Sequence, residues 1–374
     1  MGLLLAASLG LLVSFCCGRC ALALTDSPEA QAALDNAQAT WDRLEDEEAL
    51  RLFEQVVEDF PDTEQAAGAL AMIGLWWKEH GDPTKAFHFW RRAAQDYPGS
   101  AGNAEAWRLM AAAAEEQGRH GKALVLWDRI IRTFPGTAEE ALARFRRARV
   151  RWEVQKHYAR AIRDYQRVIS LVPDDPLAPE ARILLAHNYL WLDDAERALK
   201  AYLETMEATP GTALAREAAY YAGVLYVAPY HNDEAALAYF DIALSGKVPE
   251  GVRLWALVQR AYARSHLGQF EGAHGDCQAL LDTTPPEHAR FLPMAHAVLF
   301  DVYLREKRYD EAIAEQELIL RDYPETFWAA HAGDEIRYAQ TLKLLAEGKG
   351  VPIDWDEPET SGAPQTTTSP PDAP

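Results

Sequence analysis

Cysteine is scarce in this chain and unevenly placed. Of four in 374 residues, Cys16, Cys17 and Cys20 crowd the first twenty and only Cys277 lies beyond. Past the first segment no disulfide framework is available, so stability must come from packing. The eleven histidines show no His-x-x-x-His pair and no carboxylate companion at ligand spacing. His266 and His274 fall on different predicted helices, so neither a metal site nor a cofactor is expected. There is no nucleophile elbow, Walker loop, dinucleotide fingerprint or pair of catalytic carboxylates, which argues against an enzyme. Basic charge is also short: 37 Lys and Arg stand against 57 Asp and Glu, for a net charge of −20, and no basic run stands out. Such a surface repels a phosphate backbone, so nucleic acid and anionic membranes are excluded as partners. Alternating strand patterns are missing, and no apolar run reaches the ~20 residues of a membrane-spanning helix.

What is present begins with two distinctive ends. Leu3 to Phe15 is apolar apart from Ser8, Gly10 and Ser14, and Ala21-Leu22-Ala23 fits a signal-peptidase site. Residues 1–23 therefore read as a signal peptide, although no Lys or Arg precedes the apolar segment. An uncleaved anchor and a lipid on one of the three cysteines are the alternatives. Phe15, Cys16 and Arg19, the residues just before those cysteines, depart from the small residue that lipid attachment requires. At the other end, residues 348–374 carry Asp354, Asp356, Glu357 and Glu359 and then a Pro/Thr/Ser run. Few of them can enter a core, and a disordered tail is expected.

Between the ends the chain is periodic. Prolines at 61, 98, 135, 173, 210, 249, 285 and 324 recur at steps of 36 to 39 residues, most of them inside one phrase. Phe60-Pro61-Asp62-Thr63, Tyr97-Pro98-Gly99-Ser100, Phe134-Pro135-Gly136-Thr137, Thr209-Pro210-Gly211-Thr212 and Tyr323-Pro324-Glu325-Thr326 are the clear copies. Such a period marks a stacked repeat. In residues 63–98 one helical apolar series runs through Leu70, Ile73 and Trp77, and Gly81-Asp82-Pro83 breaks it. A second runs through Ala86, Phe89 and Trp90 and stops before Pro98, which cannot continue a helix. Each repeat is thus helix A, turn, helix B and the proline phrase, whose Ser or Thr caps the next helix A. Thr137 with Glu140 has capping-box spacing.

Small residues twelve apart, Gly74 with Ala86, Ala111 with Ala123 and Ala186 with Ala198, mark where A and B approach closely. Trp77, Trp90, Trp127, Tyr189 and Tyr202 fill the space beside them, and Ala236 with Phe240 repeats the helix B half. The fourth and sixth repeats carry one extra residue between helices. Cys277 stands in a large apolar slot, Phe300 stands where a small residue is expected, and the first helix A, near residues 27–42, is weak.

Leu70-x-x-Ile73-Gly74-x-x-Trp77, Ala86-x-x-x-Trp90 and Pro98 resemble the tetratricopeptide (TPR) pattern, as do Leu185-Ala186-x-x-Tyr189, Ala198-x-x-x-Tyr202 and Pro210. The resemblance covers roughly residues 45–325. It implies an all-α, right-handed α-solenoid of about eight helix-turn-helix units over residues 24–347, closed by a capping helix at about 327–346. The longer period and the aromatic-Pro-Gly-Ser/Thr phrase are similar to TPR proteins of the bacterial cell envelope, namely the outer-membrane assembly lipoprotein and the Tol-associated division coordinator.

In that fold helix A lines the concave face. The register then places Phe145, Arg149, Trp152, His187, Trp191, Tyr220, Tyr262 and His266 along an aromatic-rich groove over repeats four to seven. The third repeat, with Glu105, Arg108, Glu115 and Glu116, reads as polar. The expectation is an exported, periplasmic or envelope-associated interaction scaffold that holds a protein partner, a peptide or a helix from an envelope or outer-membrane protein. Its contact with a membrane would come only through an N-terminal anchor or lipid. The alternative is a module that stacks its groove aromatics on cell-wall glycan.

Overall fold

The computed structural model describes residues 27–349. The expected signal peptide and all but the first two residues of the acidic tail lie outside the described residues. Within them no β-strand occurs: the elements are seventeen α-helices and one short 3-10 helix. They fall into two compact bodies divided between Val150 and Arg151, inside the seventh helix. The first body holds α1 (Pro28–Asp42), α2 (Asp46–Asp59), α3 (Glu64–Glu79), α4 (Pro83–Asp96), α5 (Ala101–Glu116), α6 (His120–Thr133) and most of α7 (Ala138–Glu153). The second begins with the end of α7. It continues through α8 (Tyr158–Leu171), α9 (Leu177–Leu190), α10 (Ala195–Ala208), α11 (Ala213–Val227), α12 (Asp233–Leu244), α13 (Glu250–His266) and α14 (Phe270–Thr283). The 3-10 helix (Pro286–Phe291) leads into α15 (Leu292–Arg305), α16 (Tyr309–Asp322) and α17 (Phe327–Ala346). Odd-numbered helices up to α15 are the A helices and even-numbered ones the B helices. The first helix A forms in full despite its weak apolar signal, with Ser27 accepting from the Ala30 amide.

The proline phrase works through its hydroxyl, which bonds in both directions. Thr63, Ser100, Thr137, Thr212 and Thr326 each donate to the carbonyl three residues back, at 2.8 Å in every case. Each also accepts the amide three residues on, at 3.0–3.3 Å. One side chain thus closes the end of helix B and caps the start of the next helix A. Glu140 also accepts the Gly136 amide, one residue before the Thr137 cap, at 2.6 Å. The junctions at Pro173, Pro249 and Pro285 lack the hydroxyl, and after Pro285 the chain inserts the 3-10 helix instead.

A second period lies in the A–B turns. Leu44, Gly81, Gly118, Lys156, Asp193, His231, Gly268 and Lys307 all have positive φ, between 50° and 80°. Each stands nine residues before the buried helix B slot of its repeat: Phe53, Trp90, Trp127, Tyr165, Tyr202, Phe240, Cys277 and Gln316. The amide following the left-handed residue reaches the carbonyl five residues back, as from Asp82 to Trp77 and from Asp194 to Tyr189. In the fourth and sixth repeats it reaches back six, from His157 to Arg151 and from Asn232 to Tyr226, so the extra residue sits in the turn. Only three of the eight turns use glycine, the residue that adopts this conformation without steric cost. Leu44 is 85% exposed and has φ of 63°. Leu44→Gly is therefore expected to raise stability by about 0.5–1 kcal/mol, read as a higher urea midpoint at unchanged slope. A lowered midpoint would remove the strain argument.

Packing is set by size matching between A and B. In α3 a Cβ on Gly74 would lie 2.3 Å from Nε1 of Trp90, and in α11 one on Gly223 would lie 2.6 Å from the Phe240 ring. The close contact of Gly74 is thus with the tryptophan sixteen residues on rather than with Ala86, although Ala86 is also buried. Ala111 faces Trp127 in the same register yet keeps its methyl group. The indole orientations account for the difference. Trp90 donates to the Ala71 carbonyl at 3.0 Å, whereas Trp127 donates to Glu115 at 2.6 Å. Phe300 is accommodated by Ala312 on α16 and Ala339 on α17, the helix that covers the last repeat. Cys277 is buried in the core formed by α13, α14 and α15, and burial pushes its thiol up, so it is a packed apolar group.

Candidate functional site

The eight expected groove residues do not form one open face. In the first body Phe145 is buried and Arg149 is half-buried. In the second, Trp152, His187 and Tyr220 are buried, Tyr262 is half-buried, and only Trp191 and His266 are exposed. Phe145, Trp152, His187 and Tyr220 are therefore interior residues, which corrects their placement on a groove. The reason is that within a body A helices pack on the next A helix as well as on B helices, as α3 does on α5, α9 on α11 and α13 on α15. In the second body Trp152 of α7 meets His187 of α9, and His187 meets Tyr221 of α11.

His187 of α9 lies among Trp152, Tyr202 of α10 and Tyr221 of α11, with ring centroids 6.0, 5.9 and 4.6 Å away. Its Nε2 and the Tyr202 hydroxyl have no hydrogen-bond partner. Burial lowers the imidazole to about 4 and pushes the Tyr202 phenol well up. Trp191 is 47% exposed and stacks on Tyr158 at 5.6 Å with the rings 2° from parallel. His266 pairs with Asp233 at 3.1 Å, and His274 pairs with Glu306 at 3.0 Å on a different helix. Among the described residues no group of three or more His, Cys, Asp or Glu is placed to hold a metal ion.

An open groove of about 910 Å³ occurs instead in the first body, across α4, α5 and α6. Phe87 and Ala94 of α4, Trp107 and Met110 of α5 and Leu126 of α6 supply its apolar lining. His88, Arg91, Arg119 and Arg129 line it as well, and all four are exposed. No Asp or Glu lines it. The proline phrase before α5 and the Gly118 turn after it set this helix between two B helices, with Gly102 so close that a Cβ would lie 2.4 Å from the Ala67 backbone of α3.

The charge arrangement around this groove is unusual for so acidic a chain. Arg108 is held by Glu105, which raises the guanidinium further, and Arg146 is held by Glu115 at 3.4 Å. Arg147 takes Asp128, and Lys78 takes Glu116 at 2.8 Å. Glu105, Glu115, Asp128 and Glu116 are thus engaged elsewhere, and Arg91, Arg119 and Arg129 form no ion pair with the described residues. The Arg129 guanidinium lies over the Trp107 ring, 5.5 Å from its centroid. Trp107 is 8% exposed, and its indole N–H is buried without an acceptor. This site spans helix B of the second repeat and both helices of the third, which the sequence pattern marks only as polar. One signal was present: Arg91 and Arg129 have no acid three or four residues away, whereas Arg108 has Glu105.

The tetratricopeptide-repeat family profile matches residues 142–175, from within α7 to the turn after α8. No curated protein matches the chain in sequence. Among solved structures, the apo form of RapI is similar with a TM-score of 0.56 at 11% identity, over 86% of this chain and 100% of that one. The C-terminal part of a TPR repeat-containing protein from Cytophaga hutchinsonii is similar with a TM-score of 0.51 at 11% identity, over 69% of this chain and 99% of that one. YrrB, a TPR protein with an unusual peptide-binding site, is 17% identical over 56% of this chain and 97% of its own, with a TM-score of 0.44. At these identities the likeness is one of fold. The chain thus has an all-α solenoid fold of the TPR type, with a TPR match over residues 142–175.

Proposed function

We propose that this chain is a non-enzymatic scaffold of the bacterial cell envelope, exported across the inner membrane, which holds a segment of a protein partner. The observation that carries this reading is the open α4–α6 groove, lined by apolar side chains and by arginines. Groove aromatics and arginines are the residue types that anchor protein interfaces. The glycan alternative finds little support: Trp90, Trp107 and Trp127 are buried, and Trp191 is the tryptophan with an exposed ring among the described residues.

A photo-crosslinking side chain placed at Gln95, which lines the groove, is expected to give discrete protein adducts in the host, recovered with the envelope fraction. The same side chain at Arg51, exposed on α2 and away from the groove lining, is expected to give none of them. Identical adduct patterns from the two positions, or none from Gln95, would end the proposal. Adducts found only in the cytosolic fraction would remove the envelope assignment alone.

A further inference from the structure

We infer that the α4–α6 groove is built for an acidic, extended peptide segment carrying at least one bulky apolar side chain. The inference rests on the scaffold reading and adds the chemistry of the partner. Three observations converge on it. The groove presents Arg91, Arg119 and Arg129, none of them in an ion pair among the described residues, beside His88, with no carboxylate in its lining. In a chain of net charge −20, three arginines left without acids mark a place where negative charge is supplied from outside. Beneath them Phe87, Met110, Trp107 and Leu126 offer an apolar surface that a charged ligand alone would leave uncovered. Trp107, which lines the groove, keeps its indole N–H buried without an acceptor, a donor left unsatisfied beside the site.

The arrangement selects by sign of charge as well as by shape. A basic segment meets three guanidinium groups with no compensating acid, and like charges at an interface are strongly disfavoured. Elsewhere the acidic surface repels an acidic ligand, so the groove is where such a segment is retained rather than spread over the molecule.

The test uses the full chain and a short synthetic peptide in which Asp and Glu alternate with Leu and one Trp, labelled for fluorescence anisotropy. Its partner probe carries Lys in place of every acid. The acidic probe is expected to bind at least about tenfold more tightly than the basic one and to weaken as salt is raised. Arg91→Glu combined with Arg129→Glu alters two exposed side chains that are in no ion pair, so the fold is expected to survive, as circular dichroism would verify. That variant is expected to lose the acidic probe by about tenfold or more and to gain the basic one. Equal binding of both probes to the wild type, or an acidic probe indifferent to the double substitution, would overturn the inference. If Gln95 still yields its partner adduct in cells while the acidic probe fails, the scaffold reading stands and this assignment falls. Neutralising Asp354, Asp356, Glu357 and Glu359 in the full chain is expected to leave the probe's affinity unchanged. A gain of about tenfold would make the chain's own acidic segment the occupant and overturn assignment to a partner.

Discussion

Gly74→Ala is expected to destabilise the chain by about 2–3 kcal/mol, although alanine is the better helix former by about 1 kcal/mol. The added methyl carbon would stand 2.3 Å from Nε1 and 2.4 Å from Cδ1 of Trp90, a fully buried ring. The ring is not free to swing aside, because its N–H is tied to the Ala71 carbonyl and its neighbours in the core include Ala67, Ala71, Ala86 and Tyr97. Relief requires either a shift of α4 against α3 or loss of that hydrogen bond. Trp90→Leu alone is expected to cost about 3–4 kcal/mol through the cavity it leaves. In the double variant the two changes compensate, since the smaller side chain vacates the space the methyl group needs. A double-mutant cycle by urea unfolding should give a favourable coupling of about 1–2 kcal/mol. Additivity of the two changes would show that Gly74 answers to something other than the indole.

The second large effect is on pH dependence. His187 is 3% exposed, and in the folded chain its imidazole titrates at about 4 instead of the ordinary 6.5, because burial among Trp152, Tyr202 and Tyr221 disfavours the charged form. The unfolded chain therefore takes up a proton as pH falls through 6.5, and the folded chain does so only near 4. The contribution of the neutral histidine is complete above about pH 6.5, is lost progressively as pH falls, and amounts to about 3 kcal/mol by pH 4. Glu217 and Glu335 act in the opposite direction, since burial raises both and Glu335 reaches about 7. Their effect is separated by comparing wild type with His187→Phe, which retains both carboxyls. Urea melts at pH 7.5 and at pH 4 should show the phenylalanine variant gaining about 3 kcal/mol relative to wild type at the acid end. A difference that does not change with pH would mean that the imidazole is solvated or paired in solution.

Much of the architecture was legible in the residues. The proline phrase located the junctions, because a residue without an N–H ends helix B and a hydroxyl two positions on caps the next helix. The step from 37 to 38 and 39 located extra residues in the fourth and sixth repeats, and the structure places both in the A–B turn. The capping helix at about 327–346 forms as α17, with Thr326 at its N-cap. The left-handed turn period was hidden because only Gly81, Gly118 and Gly268 advertise it, while Leu44, Lys156, Asp193, His231 and Lys307 carry the same backbone without the signal.

The site was much less legible, for a physical reason. An aromatic residue on a helix registers as apolar whether it meets a ligand or a neighbouring helix, so Trp152, His187 and Tyr220 resembled a groove until the packing of successive A helices covered them. The converse holds for Arg91, Arg119 and Arg129, which in one dimension are ordinary surface charges. Their isolation from carboxylates depends on Arg147 taking Asp128, Arg146 taking Glu115 and Lys78 taking Glu116, contacts made between helices. The sequence by itself determined the repeat, its punctuation and the all-α class, because turn and cap chemistry act over a few residues. Which faces of those helices remain open, and which charges remain unpaired, only the tertiary structure decided, because both depend on neighbours tens of residues away along the chain.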